Sequence, residues 1–357
     1  MRLALISLLM IPLVVGCGGG DKEQISPPWS ADTADTYVDA DNDGVPADQD
    51  CDDEDAGSTI LADDADCDTV VTAEDCDDTD LEVGALCWVD VSAGESWTCG
   101  LKSDASVQCW GRNADTATML PPDEDFSQLS TGSYHACGIT IDQEVLCWGS
   151  DGDGQSTDIA SGSYQSINAA TSYTCGVTTA GAAKCWGYGG YGNDNPASGS
   201  YLSISGNTFH ACGILTDQSV KCWGDGGDTD WEAGNQDNGR LEPPSKLFEA
   251  IVAGGWNNCG INVDGALYCW GANNYGQSNP PGGTYQDIGA GQKHACAVST
   301  EGQLKCWGDN SEGQTIAPEG TFTRVSAGKL HTCAVTSGGA MECWGRNNHE
   351  QSTPPEL

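Results

Sequence analysis

From Cys87 onward the chain alternates short β-prone runs with turn residues, and the alternation repeats. In the last unit "FTRVS" (322–326) is followed by Ala-Gly, then by "HTCAV" (331–335), a Ser-Gly-Gly turn and "MECWG" (341–345). Runs rich in β-branched and aromatic residues, bounded by Gly, Asn and Pro and without 3.6-residue spacing, predict strands and no substantial helix. A polar loop rich in Asn and Gly, ending in proline, closes each unit.

The unit occurs seven times. Two cysteines separated by nine intervening residues stand at Cys99/Cys109, Cys137/Cys147, Cys175/Cys185, Cys212/Cys222, Cys259/Cys269, Cys296/Cys306 and Cys333/Cys343. Successive first cysteines are 38, 38, 37, 47, 37 and 37 residues apart, so the fourth unit carries an insertion. Trp-Gly follows every second cysteine, from Trp110-Gly111 to Trp344-Gly345. Self-similarity at this period signals a solenoid or a propeller, and each unit is long enough for one small blade of three or four strands. The expected fold is all-β, a seven-bladed β-propeller over 87–357.

Hairpin arithmetic gives the cysteines a role. If Ser337, Gly338 and Gly339 form a three-residue loop, Cys333 falls opposite Cys343. The same centring places the other six turns on Asp104, Asp142, Ala180, Asp217, Asp264 and Glu301. Directly opposed residues of a non-hydrogen-bonded pair lie about 4.5 Å apart at Cα, within disulfide reach. Each hairpin is therefore expected to carry its own bridge, which implies an oxidising compartment. Zinc would call for C-x2-C pairs or clustered histidines. His135, His210, His294 and His331 do stand two places before a first cysteine, but Trp97, Tyr173 and Asn257 fill that slot elsewhere, so packing or hydrogen bonding is expected of them.

The unit "YQDIGAGQKHACAVSTEGQLKCWGDNSEGQTIAP" (285–318) resembles the regulator of chromosome condensation repeat. Its G-Q…P ending is most similar to a secreted bacterial branch that includes the propeller-type β-lactamase inhibitor protein. The resemblance spans about 87–357 and implies a seven-bladed propeller. The paired cysteines depart from both relatives, and the chain lacks the basic character that chromatin binding needs.

The net charge is −40, with 53 acidic and 13 basic residues, and 24 of the acids fall between Asp21 and Asp90. Such a chain is repelled by phosphate backbones, which excludes nucleic acid as a partner. The start, Arg2 followed by the apolar run 3–15 and V-V-G-C, resembles a lipoprotein signal peptide over 1–16. By that resemblance Cys17 would carry lipid, 17–38 would be a flexible tether, and Gly18 would direct the protein to an outer membrane or cell surface.

Between 39 and 86 lies an acidic segment. "DADNDGVPADQD" (39–50) has the spacing of a calcium loop, with Asp39, Asp41, Asp43, the Val45 carbonyl and Asp50 as ligands around the Gly44 turn. Asp64, Asp66, Asp68 and Asp75 repeat that spacing, with Thr69 in the glycine place. The segment resembles the Asp-rich, Cys-containing metal-binding repeats of secreted bacterial proteins, so calcium is the expected cofactor. Cys51, Cys67, Cys76 and Cys87 remain outside the seven pairs, with three connectivities open.

No nucleophile with a base, and no carboxylate pair confined to one unit, points to catalysis, so the chain is not expected to be an enzyme. The expected function is a surface-anchored propeller that binds an extracellular or periplasmic protein or glycan, with a calcium-dependent structural role as the alternative. Loops after Trp-Gly vary most, and Tyr188, Tyr191, Tyr275 and Trp231, the last within the fourth-unit insertion, are the expected partner-binding residues.

Overall fold

A computed structural model describes residues 86–112, 120–225 and 239–357. The signal peptide, Cys17, the tether, the candidate calcium ligands Asp39, Asp41, Asp43, Val45, Asp50, Asp64, Asp66, Asp68 and Asp75, together with Cys51, Cys67, Cys76 and Trp231, lie outside the described residues. The described part is a seven-bladed propeller made of seven three-stranded antiparallel sheets, each with its strands in chain order.

The inner strands are Trp88–Ala93, Phe126–Thr131, Tyr164–Ala169, Tyr201–Gly206, Phe248–Ala253, Tyr285–Ala290 and Phe322–Ala327. Middle strands run over Trp97–Lys102, His135–Thr140, Tyr173–Thr178, His210–Leu215, Asn257–Asn262, His294–Ser299 and His331–Thr336. Outer strands are Val107–Gly111, Val145–Gly149, Ala183–Gly187, Val220–Gly224, Leu267–Gly271, Leu304–Gly308 and Met341–Gly345. Each inner strand has a register shift after its first aromatic residue, such as that between Phe322 and Arg324.

All seven cysteine pairs are disulfides within a hairpin, in the register that the turn centres predict. They join Cys99 to Cys109, Cys137 to Cys147, Cys175 to Cys185, Cys212 to Cys222, Cys259 to Cys269, Cys296 to Cys306 and Cys333 to Cys343. Their Cα atoms lie 4.0–4.1 Å apart, closer than the spacing of about 4.5 Å expected of an unbridged pair. The two cysteines of a bridge are not equivalent. The first, on the middle strand, is fully buried between blades, whereas Cys109, Cys147, Cys185, Cys222, Cys269, Cys306 and Cys343, on the outer strands, are half-buried. Each bridge thus ties an edge strand, hydrogen-bonded on one side only, to the strand that holds it.

The core is not one centre but seven layers, one between each pair of adjacent blades. Trp97, Cys99 and Leu101 of blade 1 pack on Phe126, Leu129, Ala136 and Trp148 of blade 2. Ring closure repeats that design, with Trp88, Val91 and Trp110 of blade 1 on Cys333, Val335 and Met341 of blade 7. Polar links reinforce the layers. The indole Nε1 of Trp186, Trp223, Trp270, Trp307, Trp344 and Trp110 donates to the carbonyl of Gln155, Asn193, Arg240, Gln277, Gln314 and Gln351, each in the preceding blade. Trp110 receives its partner from the last blade, so this bond also closes the ring.

The recurrent histidines belong to the same seams. His135, His294 and His331 bond through Nε2 to Thr174, Thr332 and Thr98 of the next blade at 2.8–2.9 Å, and His210 bonds to Asn258 at 2.8 Å. All four are fully buried. Burial pushes His135, His210 and His294 down to about 4 and His331 to about 3, so they remain neutral in the fold. Their Nδ1 atoms have no partner among the described residues.

Candidate interaction face

The strand register separates two faces. The hairpin turns between middle and outer strands lie on one face, and the inner-to-middle turns lie on the other, beside the loops that follow Trp-Gly. The chain enters on the first of these. Cys87 is disulfide-bonded and sits beside the first hairpin turn, its carbonyl accepting from the Ser103 amide at 2.9 Å. We call this the proximal face and the opposite one distal.

On the distal face each inner strand leads into a short turn in which two successive residues diverge. The first residue faces the axis, where a polar cavity of about 550 Å³ is lined by Ser133, Thr171, Thr208 and Gln292, among others. The second points outward, and its carbonyl accepts the amide of the residue after Trp-Gly, as in Ser150 to Tyr134, Asp225 to Phe209 and Ala272 to Trp256. This recurring bond joins two sequence-distant loops in every blade. It explains how side chains from both come to share a surface.

In blades 3 to 6 that surface is an arc of rings. Tyr188 meets Tyr191 at 5.8 Å between centroids, Tyr191 meets Phe209 at 5.1 Å, and Phe209 stacks on Trp256 at 6.1 Å. Lys293 continues it, its ammonium 5.5 Å from the Trp256 ring and 4.6 Å from the Tyr275 ring, with Nζ donating to the Tyr275 hydroxyl at 3.1 Å. Tyr188 is 42% exposed, Tyr275 47% and Tyr134, in the corresponding turn of blade 2, 47%. Trp256 is 8% exposed, and its indole nitrogen is buried without a partner among the described residues.

The three described tyrosines expected to bind a partner therefore do reach one face, but not as equals. Tyr188 and Tyr275 are exposed, whereas Tyr191 is half-buried and wedged between Tyr188 and Phe209. Phe209 and Trp256 were not among the expected residues. Their signal is faint: each is a large aromatic in the slot before the middle strand, which holds Tyr134 in blade 2 but Ser96, Ser172, Lys293 and Leu330 in the other blades.

Arg240 is a second departure from the repeat. It occupies the place of Gln155, Gln277 and Gln314 and is fully buried. Its Nε donates to the Asp225 carbonyl at 2.7 Å, Nη2 lies 3.6 Å from the Asp225 carboxylate, and its guanidinium is 5.5 Å from the Phe209 ring. Asp225 and Arg240 are thereby held together beside Phe209.

A further charged group lines the cavity toward the proximal end. Asp287 accepts from the Val325 amide at 2.7 Å. Enclosure raises it to about 7 against the opposing pull of that amide and Arg324, while Asp90, also raised chiefly by burial, adds to the rise. Among the described residues no cluster of three metal-ligating side chains occurs, and no helix is long and apolar enough to cross a membrane.

The family model of the Regulator of chromosome condensation (RCC1) repeat matches residues 88–115, 126–155, 248–277, 285–314 and 322–351. The chain carries RCC1 repeats. The two blades that this RCC1 pattern does not match are blades 3 and 4, which supply Tyr188, Tyr191, Phe209 and Arg240. Among solved structures, the chain is similar to the CRINKLY WD40 ectodomain of the Arabidopsis thaliana receptor kinase ACR4, with 26% identity and a TM-score of 0.61, covering 76% of this chain and 100% of that one. The entire ectodomain of the Physcomitrella patens receptor kinase CR4 aligns at 24% identity and a TM-score of 0.60, over 73% and 74% of the two chains. Human WBSCR16 follows at 16% identity and a TM-score of 0.58, over 69% and 86%. The last two are likenesses of fold alone. No curated protein matches the sequence.

Proposed function

We propose that this RCC1-repeat propeller is a non-enzymatic interaction module, anchored outside the cell through its N-terminus and binding a protein or glycan with its distal face. The observation that carries the reading is the opposition of the two faces. The chain enters beside Ser103 on the proximal face, while the ring arc from Tyr188 to Tyr275 lies on the distal face. Exposed tyrosines on a rigid scaffold are typical anchors of binding surfaces. Seven disulfides point to an oxidising, extracytoplasmic environment.

In this reading Cys17 carries the lipid, 17–38 is the tether, and calcium held by Asp39, Asp41, Asp43, Val45 and Asp50, and by Asp64, Asp66, Asp68 and Asp75, stiffens the stalk. The receptor-kinase ectodomain to which this chain is similar is itself displayed outside a membrane. A photo-crosslinking residue placed at Tyr188 or Tyr275 is expected to capture an envelope component, and one placed at Ile141, exposed on the proximal face, is not. Equal capture at Ile141, or none at the tyrosines, would refute the assignment of the face.

A further inference from the structure

We propose that the ligand of the distal face is a saccharide chain displayed outside the cell, lying along the arc between the rings and the cavity mouth. This deepens the interaction-module reading and rests on it. The inner-to-middle turns sort side chains into two concentric bands. Toward the axis blades 2, 3, 4 and 6 set hydroxyls and an amide, Ser133, Thr171, Thr208 and Gln292, and blades 7 and 1 complete the band with the Lys329–Glu95 ion pair at 2.8 Å. The hydroxyls are already in register with one another across blades, Ser133 to Thr171 at 3.4 Å and Thr171 to Thr208 at 2.8 Å. Outward lie the rings of Tyr134, Tyr188, Tyr191, Phe209 and Trp256.

A ligand matched to both bands needs an apolar surface along one side and closely spaced hydroxyls along the other. Pyranose rings have that shape: their C–H faces pack on aromatic rings while equatorial hydroxyls project sideways to hydrogen-bond. A protein hot spot instead sets anchors at the centre of a patch, with the polar groups at its outer rim. Here the polar band is on the inside, and the exposed large apolar side chains of the arc are all tyrosines. The buried Trp256 indole N–H, without a partner among the described residues, is a donor at the middle of the arc that an acceptor-rich ligand could satisfy if Lys293 swings aside.

The test is affinity electrophoresis of the full-length protein in native gels containing a soluble neutral β-glucan, xylan or alginate. Wild-type protein should be retarded by at least one. Tyr188→Ala with Tyr275→Ala, and separately Thr171→Val with Thr208→Val, should weaken that retardation at least tenfold at unchanged melting temperature. Retardation by none of the three polysaccharides, or retardation that survives both double variants, would overturn the proposal. If crosslinkers at Tyr188 and Tyr275 capture a protein while no polysaccharide retards the chain, the saccharide fails and the distal face stands. If neither assay responds, both fail.

Discussion

Ala105, Gln143 and Gln218 hold left-handed backbone, at φ of 66–68°, in the turn place where Gly181, Gly265, Gly302 and Gly339 stand in other blades. A residue with a Cβ is strained there by about 1–2 kcal/mol, which glycine relieves at some cost in chain entropy. Gln143→Gly and Gln218→Gly should therefore each raise stability by up to about 1 kcal/mol, and Gly302→Ala should lower it by about as much, all read from urea midpoints. The turn centres were legible in the sequence because cysteine spacing fixes them. Handedness was not, since Ala and Gln give no sign of it. Nor were Phe209 and Trp256, because it is the side-by-side packing of adjacent blades that sets Phe209 against Tyr191 and Trp256 against Phe209.

The hairpin is the unit that the disulfides protect. Replacing Cys296 and Cys306 by Ala removes a closed loop of eleven residues, for which the chain-entropy model gives about 2.5–3 kcal/mol. The loss should be local. Hydrogen exchange is expected to rise first in the outer strand Leu304–Gly308, which the lost bridge tied to the middle strand, while the inner strand Tyr285–Ala290, which carries no bridge, stays protected. Uniform exchange across all three strands would mean that the blade opens as a whole. The register of the cysteine-bearing hairpin and all seven bridges followed from the pattern of the sequence, whereas the number of strands per blade, three or four, did not. The register shift at the start of each inner strand did not, because nothing in "FTRVS" distinguishes a bulged from a regular start.

Around the whole ring, the four seam histidines couple stability to pH. Their folded values near 4 or below lie under the ordinary 6.5, so the unfolded chain binds more protons between these limits. Their contribution is complete above about pH 6.5 and is lost as pH falls toward 4. Asp287, raised to about 7, and Asp90, also raised, act in the opposite sense by holding protons in the fold. Because the histidines outnumber the two carboxyls, stability should fall as pH drops from about 6.5 toward 4. His331→Asn, which copies Asn257 in the same slot, should flatten that slope by about one proton, measurable from denaturation midpoints across the range.

The ring itself was legible, because seven Trp-Gly pairs and seven cysteine pairs can only be repeats. What the repeats conceal is where they break. Blades 3 and 4 abandon the pattern at Asn193 and Arg240, and there the distal face gathers Tyr188, Tyr191 and Phe209 beside Trp256.

That the distal face is the binding face is tested most directly by titrating the purified full-length protein onto cell envelopes stripped of it. Wild type should be compared with Tyr188→Ala/Tyr275→Ala and with the proximal control Ile141→Ser/Leu202→Ser. Loss of at least tenfold in affinity for the distal variant alone, at unchanged melting temperature, is the predicted result. Loss in the proximal variant with the distal one binding like wild type would contradict it.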